Sequence, residues 1–350
     1  HRGSGTLMGQ RAPRIAITIG DPTGVGPEVA VKALAEERER ANRQAQIAIL
    51  VGDRRIIEAA RARVAPQLAI QEVRSPREID ATDGVYLLDV ITNEINASNP
   101  TTNQGTSAAG AAAYDALQVA TGLALDNQID AVVTGPLNKE ALSLAGHVGV
   151  GHTELLADFC NVPRSQVTMM LAGDRLRVAH VSTHVPLRTA IETLSIDRIV
   201  TVGRLAGAAT ERALDGRAVI GVAGLNPHAG EGGLFGSEEV DIIQPAVRQL
   251  VAEGWNAVGP VAPDTVFARA VAGAFDVVIA MYHDQGHIPA KLIGFDDTVN
   301  VTLGLPIVRV SVDHGTAYDI AWQGRANAGN MAVAIREATR MGRAGSGRGT

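Results

Sequence analysis

The sequence predicts an α/β protein in which strands of a parallel sheet alternate with helices. Short apolar runs alternate with helical patterns along the chain, and aromatic residues make up only 3% of a sequence that is 46% hydrophobic. Ala, Val, Ile and Leu dominate beside 38 Gly, which is typical of helices packed on a parallel sheet with tight turns. A chain of 350 residues is long enough for two domains, each with a substantial core.

The elements can be predicted in order from these patterns. Apolar runs predict strands at residues 14–19, 47–51, 85–90, 129–133, 167–171, 177–181, 218–223 and 277–281, and two more within 300–312. Helical patterns predict a helix from Glu28, preceded by Pro27, and others at 106–125, 139–144, 187–214, 237–253 and 328–341. Small residues on one face of the helix at 106–125 would let it approach a neighbour closely.

Composition restricts the partners and the location. A net charge of -6 argues against a broad nucleic-acid surface, although a few local cations would suffice for a small anion. The single cysteine, Cys160, requires no oxidising compartment. With no apolar run of transmembrane length and no signal peptide, we expect a cytoplasmic protein that binds neither nucleic acid nor a membrane. Residues 1–10 resemble an added expression segment, and residues 343–350 a flexible tail.

Two glycine-rich and polar loops follow predicted strands. The loop from Gly20 to Pro27 is neither a Rossmann fingerprint, because Val29 stands where the third glycine should be, nor a P-loop, because no Gly-Lys-Ser/Thr follows. The stretch from Phe275 to Lys291, FDVVIAMYHDQGHIPAK, ends an apolar run in a cluster of His, Asp and Gln. In open α/β sheets, ligands bind at the carboxyl ends of the strands, so this cluster is placed for chemistry.

Three histidines occupy equivalent positions. His184, His228 and His283 each follow an apolar strand, and the ends of parallel strands lie along one edge of a sheet. Three imidazoles meeting there would bind a divalent transition metal, Zn²⁺ most readily, and Asp264 and Asp284 could orient the rings. Any one of these histidines alone would be interpreted as a structural residue. The occurrence of three at equivalent positions favours a metal site.

Other residues could bind an anion. His152 and Thr153 begin a predicted helix that Thr153 could cap, and exposed amides at a helix start suit an anion. Arg309 lies within PIVRVSV, whose alternation predicts burial, and a buried guanidinium needs a partner such as phosphate or carboxylate. Lys291 and Asn300 follow the polar cluster and add a cation and a donor.

Nine motifs in order resemble the 4-hydroxythreonine-4-phosphate dehydrogenase family (PdxA), from about residue 15 to residue 341. They are ITIGDPTGVGPE, TGPLNK, GHTE, STHVPLR, GLNPHAGEGG, APDT, YHDQG, NVTLGLP and SVDHGTA. The resemblance implies a homodimer of two-domain α/β/α subunits, similar to isocitrate and isopropylmalate dehydrogenases, with the active site in the interdomain cleft. We place the first domain at 13–132 plus 300–342, and the second at 133–299.

The resemblance also implies roles for single residues. Family metal ligands correspond to His184, His228 and His283, one of them crossing the dimer interface. Substrate contacts correspond to His152, Thr153, Lys291, Asn300 and Arg309. The segment DHGTAYDIA resembles the adenosine-binding loop of isopropylmalate enzymes, so NAD or NADP is expected to contact His314, Gly315 and Asp319, together with Asn226 and Gly230. Trp322 stands where a glycine is expected, which affects this cofactor contact.

The implied reaction is the oxidation of a phosphorylated hydroxy acid, followed by decarboxylation of the 3-oxo acid. A metal, Zn²⁺ or else Mg²⁺, Mn²⁺ or Co²⁺, would chelate the substrate hydroxyl and then hold the enolate charge. The catalytic candidates are Lys139, Asp264 and His283, with Lys139 or an aspartate as the base. Family members of pyridoxine biosynthesis tend to follow HDQG with Leu-Pro, whereas HDQGHIPAK resembles the branch acting on 4-phosphoerythronate or 4-phosphothreonate.

Three alternatives remain at this point. One is a cis-dihydrodiol dehydrogenase of terephthalate degradation in the same family, although that branch lacks GHTE and the arginine. A second is a metal-dependent lyase or hydrolase without NAD. A third is a sensor that binds a phosphorylated metabolite without turnover.

Overall fold

The structure, a computed structural model, describes residues 11–91, 104–294 and 297–345. The segment predicted at 1–10 and the last residues of the predicted tail lie outside the described residues. No helix among the described residues is long and apolar enough to span a membrane.

Strands and helices alternate through the first part of the chain. The elements are β1 (Arg14–Thr18), α1 (Gly26–Glu39), β2 (Ile47–Gly52), α2 (Arg54–Val64), β3 (Gln71–Val73), β4 (Gly84–Asp89), α3 (Ser107–Leu125), β5 (Ala131–Thr134), α4 (Lys139–Leu144) and α5 (His152–Phe159). Predicted strands and helices here are confirmed to within a few residues, whereas α2 and β3 were not predicted.

The middle of the chain begins with two strands and ends with one. The elements are β6 (Thr168–Ala172), β7 (Arg177–His180), α6 (Leu187–Glu192), α7 (Ile196–Leu214), β8 (Val219–Ala223), α8 (Gln244–Ala252), β9 (Asn256–Val261), α9 (Pro263–Val271), β10 (Val277–Ala280), α10 (His283–Gly294) and β11 (Val299–Leu303). A π-helical turn, Glu239–Ile243, precedes α8. Strand β12 (Arg309–Ser311) and helix α11 (Gly329–Gly345) follow.

The chain divides into two compact units. Unit 1 comprises His1–Cys160 and Pro306–Thr350, and unit 2 comprises Asn161–Leu305. The first unit is discontinuous, as expected, but the observed division lies at 160/161 and 305/306, not at the predicted 132/133 and 299/300. The physical reason is that β5 pairs with β1 and β12, while α3 packs against α4 so closely that a Cβ on Gly110 would lie 2.0 Å from the Ala141 carbonyl oxygen.

The sheet of unit 1 is parallel throughout its described strands, in the order β3-β4-β2-β1-β5-β12. Its central strands are fully buried; Ile15, Ile17 and Ile49 have no exposed surface. Parallel strands covered on both faces account for the continuous apolar runs seen in the sequence.

The sheet of unit 2 is mixed, in the order β11-β6-β7-β10-β8-β9. Strands β7, β10, β8 and β9 are parallel, but β6 runs antiparallel to both β11 and β7. The expectation of a wholly parallel sheet is wrong here because only residues 173–176 join β6 to β7. A connection that short permits a hairpin, whereas a parallel pair needs a crossover of about a dozen residues or more.

Trp322 joins two loops within unit 1. Its φ of 60° is left-handed, which explains why glycine is the residue expected at this position. The indole is buried and its Nε1 donates to the Pro22 carbonyl at 3.1 Å, while the Trp322 amide donates to Glu28 at 2.6 Å. The tryptophan therefore anchors the segment after β12 to the glycine loop after β1.

Candidate active site

The strands that carry the three predicted metal ligands are neighbours in unit 2. Strand β10 lies between β7 and β8, and all three run in the same direction. His184 follows β7, His283 begins α10 directly after β10, and His228 follows β8. The prediction that these strand ends share one edge of a parallel arrangement is therefore met.

His184 and His283 lie side by side. Their ring centroids are 5.7 Å apart, and both line a cavity of about 380 Å³ together with Thr183, Val185, Pro186, Leu187, Ala190, Tyr282 and Asp284. Two imidazoles on one Zn²⁺, each bonded at about 2.1 Å, would have centroids about 5–6 Å apart. The Nδ1 of His283 lies 2.7 Å from Asp284 Oδ1, which leaves Nε2 as the donor for a cation. The pair thus fits two ligands of one metal ion.

His228 does not join this pair. Among the residues that the structure describes, no group of three or more His, Cys, Asp or Glu side chains is placed to hold a metal ion. His228 is exposed on the turn Pro227–Gly233, and five successive residues from His228 to Gly232 have positive φ. The single chain thus brings together two of the three candidates, and the expectation of a ligand across a dimer interface stays a prediction.

A buried carboxylate holds that left-handed turn. Glu239 accepts hydrogen bonds from the amides of Leu225 and Asn226, both at 2.7 Å, and from Asn226 Nδ2 at 2.9 Å. A Cβ on Gly230 would lie 2.7 Å from Glu239 Oε2. Two of the predicted cofactor residues, Asn226 and Gly230, therefore stabilise the conformation of this loop, and their contact with a cofactor stays a prediction.

Two further histidines lie behind His283. The His287 ring is stacked on that of His283, with centroids 3.6 Å apart, and the Nδ1 of His287 lies 3.1 Å from His180 Nε2. Burial, and then the charges of His287 and His283, lower the pKa of His180 to about 3, so its ring is neutral at ordinary pH. The sequence predicted these two histidines only as near neighbours of the metal ligands.

Unit 1 contains a buried cation at the start of β12, and its surroundings are called the cationic pocket. Arg309 is 2% exposed, and its Nε and Nη2 donate to Thr134 Oγ1 at 3.2 and 2.7 Å. Burial lowers the pKa of Arg309 to about 9, so the guanidinium remains charged at neutral pH. The predicted burial of Arg309 is confirmed. Thr134, which holds it, was not predicted, although it begins the TGPLNK motif directly after β5.

His152 faces the same guanidinium. Its Nε2 is buried and has no hydrogen-bond partner. Burial and the nearby charge of Arg309 hold the pKa of His152 well below its usual value, against a hydrogen bond with the backbone of Gly135. An anion would relieve both effects, because it would partner the ring nitrogen and offset the positive charge. This pocket is accordingly the best candidate for a phosphate or carboxylate.

The start of α5 carries His152 and is stabilised by its own cap. Gly151, not Thr153, is the N-cap, and its amide donates to Glu154 at 2.9 Å, so the capping role expected of Thr153 is wrong. Lys139, the first residue of α4, approaches this point: a Cβ on Gly151 would lie 3.8 Å from Lys139 Nζ. Lys139, His152 and Thr153 thus belong to unit 1 and not to the predicted second domain.

The remaining predicted substrate and catalytic residues lie in unit 2. Asn300 is on β11, where its Nδ2 lies 2.8 Å from the Met169 sulfur and its buried Oδ1 has no hydrogen-bond partner. Lys291 lies on α10, and Asp264 is exposed in the first turn of α9. Buried polar atoms are normally hydrogen-bonded, so a polar ligand that donates to Oδ1 would satisfy Asn300.

The predicted adenosine-binding segment is held against the glycine loop after β1. The Tyr318 hydroxyl donates to buried Asp21 at 2.6 Å, and burial with this contact raises the tyrosine pKa. His314 Nε2 is buried without a partner, although Nδ1 lies 3.0 Å from the Gly315 carbonyl. Asp319 is exposed, and its carbonyl accepts from Gln323. The binding of NAD by these residues stays a prediction.

The depressed pKa of His152 predicts a pH-dependent stability. In the unfolded chain His152 takes up a proton near pH 6.5, whereas in the folded chain it stays neutral to a lower pH. The free energy of unfolding is therefore unaffected by His152 above this pH and decreases as the pH falls below it. At pH 5.5 we expect a loss of about 1 kcal/mol. Urea unfolding of the wild type and His152→Gln at pH 7.5 and 5.5 measures it. The variant should lose less stability on acidification, and equal losses would contradict the prediction.

Fold and site together define a two-unit α/β protein with a buried cationic pocket in one unit and a pair of histidines beside a cavity in the other. The family described as "Pyridoxal phosphate biosynthetic protein PdxA" matches residues 44–338. D-threonate 4-phosphate dehydrogenase of Pectobacterium atrosepticum is 44% identical over 328 residues, covering 93% of this chain and 98% of that protein.

Two further comparisons agree. The 4-hydroxythreonine-4-phosphate dehydrogenase of Geobacter metallireducens is 44% identical over 344 residues, covering 98% of this chain and 100% of that protein. The crystal structure of the 4-hydroxythreonine-4-phosphate dehydrogenase of Klebsiella pneumoniae is similar with a TM-score of 0.83 at 40% identity, covering 95% of this chain and 100% of that one. The chain belongs to the PdxA family, and the predicted family and fold class are confirmed.

Proposed function

We propose that this chain is a metal-dependent, NAD-linked dehydrogenase that oxidises a phosphorylated hydroxy acid and then decarboxylates the product. The candidate substrates are 4-hydroxythreonine 4-phosphate, 4-phosphothreonate and 4-phosphoerythronate. The observation that carries the proposal is the pocket of Arg309 and His152, because a buried guanidinium beside an unsatisfied imidazole nitrogen matches a phosphate group.

The pocket also separates the phosphorylated substrates from the aromatic alternative. A neutral dihydrodiol would bring no negative charge to the buried guanidinium of Arg309 and would leave His152 Nε2 without a partner. Leaving a buried polar atom unpaired costs about 1–3 kcal/mol. The charge of Arg309 and the unpartnered nitrogen of His152 therefore support a phosphorylated acid more strongly than a neutral diol.

The metal is proposed on His184, His283 and His228, with Zn²⁺ as the first choice. When bound, the cation would act as a Lewis acid on the substrate oxygens, and NAD would accept the hydride. Asp284 holds His283 with Nε2 available, and Thr183, Val185 and Pro186 line the adjoining cavity. Lys139 Nζ or an Asp264 oxygen would take the hydroxyl proton, and loss of the carboxylate beta to the new ketone would give carbon dioxide.

A homodimer belongs to the same proposal. Two apolar residues of the cavity lining are exposed, Val185 at 45% and Leu187 at 55%. On α10, which carries His283, Ile288 is 57% and Leu292 82% exposed. Exposed apolar side chains of this kind are typical of a protein–protein interface, and the set of metal ligands within one chain is incomplete. Both observations support a homodimer in which a second copy of the chain covers this surface.

The test is an assay of NAD reduction with the three phosphorylated acids and with terephthalate cis-dihydrodiol. We expect turnover of at least one phosphorylated acid, release of carbon dioxide in equal amount, and loss of activity with a chelator that added Zn²⁺ or Mn²⁺ restores. Turnover without NAD would instead indicate a lyase. Turnover of the dihydrodiol alone would contradict the proposal, and phosphate binding without any turnover would indicate a sensor.

A further inference from the structure

His287 covers one face of a proposed metal ligand. His283 and His287 are four residues apart on α10, which places them on the same face of the helix. Their rings are stacked at 3.6 Å with an angle of 12° between the planes. His283 also lines the cavity, whereas His287 does not. His287 therefore contacts the ligand ring without lining the cavity that the ligand faces.

The hydrogen bonds of His287 define which nitrogen carries its proton. Nδ1 lies 3.2 Å from the backbone carbonyl of His283 and 3.1 Å from His180 Nε2. A carbonyl oxygen only accepts, so Nδ1 carries the hydrogen and donates to both groups. His180 must then offer a lone pair at Nε2. The His287 ring is thus tied to the backbone of the residue on which it stacks.

His180 is a rigid support for this arrangement. It ends β7, has no exposed surface, and lies directly beneath Gly286 of α10. A Cβ on Gly286 would lie 2.4 Å from His180 Nε2, so only glycine lets α10 come this close. The contact fixes His180 against the first turn of the helix that carries His283.

We propose that His287, supported by His180, is a positioning residue that holds the His283 ring in the orientation needed to bind the metal. Asp284 fixes the edge of the ring at Nδ1, and His287 fixes its face. The inference rests on the proposed function, because it assumes that His283 is a metal ligand. Partners of this kind typically change metal affinity by about 10–100-fold when they are replaced.

The test is Co²⁺ binding to metal-free protein, followed by visible absorption in the absence of substrate and NAD. His287→Leu removes both the stacking and the hydrogen bond, whereas His287→Asn keeps a donor near His180 but has no ring. We expect Co²⁺ affinity to fall about 10–100-fold in both variants and the absorption bands of the saturated site to shift. Far-UV circular dichroism confirms folding, and if His287→Leu does not fold, His287→Asn decides.

Two controls separate this inference from the function on which it rests. His147 is stacked on Tyr114 at 3.7 Å in unit 1, so His147→Leu removes a similar stack and should leave Co²⁺ affinity unchanged. His184→Ala should greatly weaken binding; if it does not, the proposed metal site is wrong. If His184→Ala weakens binding but both His287 variants bind within about twofold of the wild type, only the positioning role is overturned.

Discussion

Mixing His184→Ala with His228→Ala is expected to restore activity that neither variant has alone. Within one chain His184 and His283 are neighbours, whereas His228 lies apart on its left-handed turn. If a second copy supplies His228, each single substitution removes one ligand from every site. Turnover should then fall at least about a thousandfold, which corresponds to about 4 kcal/mol.

Subunit exchange distinguishes a shared site from a site within one chain. In a mixed dimer, one site would carry both substitutions and the other neither. Equal mixing makes half of the dimers mixed, so the preparation should recover about a quarter of wild-type turnover. Co-expression of two differently tagged chains, followed by an NAD reduction assay, measures this value.

The matched control is the mixture of His184→Ala with His283→Ala. Since these two residues act from the same chain in the arrangement observed here, mixing them should restore nothing. If no mixture involving His228→Ala regains activity although exchange has occurred, the shared site is contradicted. Recovery from the control mixture would show that the two neighbouring histidines act in different sites.

The sequence predicted which residues form the candidate sites better than it predicted how those residues are arranged in space. Apolar runs followed by histidine predicted the neighbouring strands β7, β10 and β8, and the alternation in PIVRVSV predicted the burial of Arg309. Both patterns are local properties of the chain. Helix α10 was not predicted within the polar cluster, and it contains Gly286 and Pro289, two residue types that disfavour a helix interior. Only the packing of Gly286 on His180 shows why a glycine belongs inside that helix.

The convergence of three histidines could not be deduced from spacing alone. A left-handed conformation costs roughly 1–2 kcal/mol per residue other than glycine, so GLNPHAGEGG did not predict positive φ at His228, Ala229 and Glu231. The compensation comes from Glu239, more than ten residues along the chain, which accepts the amides of Leu225 and Asn226. Such a tertiary contact leaves no periodic trace in the sequence.

Replacing Arg309 by lysine is expected to lower kcat/KM for a phosphorylated substrate by about 100–1,000-fold, or about 3–4 kcal/mol. The guanidinium donates through Nε and Nη2 to Thr134 from a site that is 2% exposed. Lysine keeps the charge but has no planar fork with which to bind Thr134 and phosphate together. The loss should appear mainly in KM, because a phosphate remote from the reacting carbon contributes similar binding energy to substrate and transition state.

Arg14→Lys is the matched control, since Arg14 lies on β1 of the same sheet and donates to the Ile79 carbonyl at 2.9 Å. Its kcat/KM should remain within about twofold of the wild type, as expected for a residue away from the site. Inorganic phosphate should raise the melting temperature of wild type and Arg14→Lys but not of Arg309→Lys. If Arg309→Lys kept wild-type KM and its thermal response to phosphate, the pocket would not be the phosphate site. Arg309 would then serve only to stabilise the fold. The proposed preference for phosphorylated acids over the dihydrodiol would lose its physical basis.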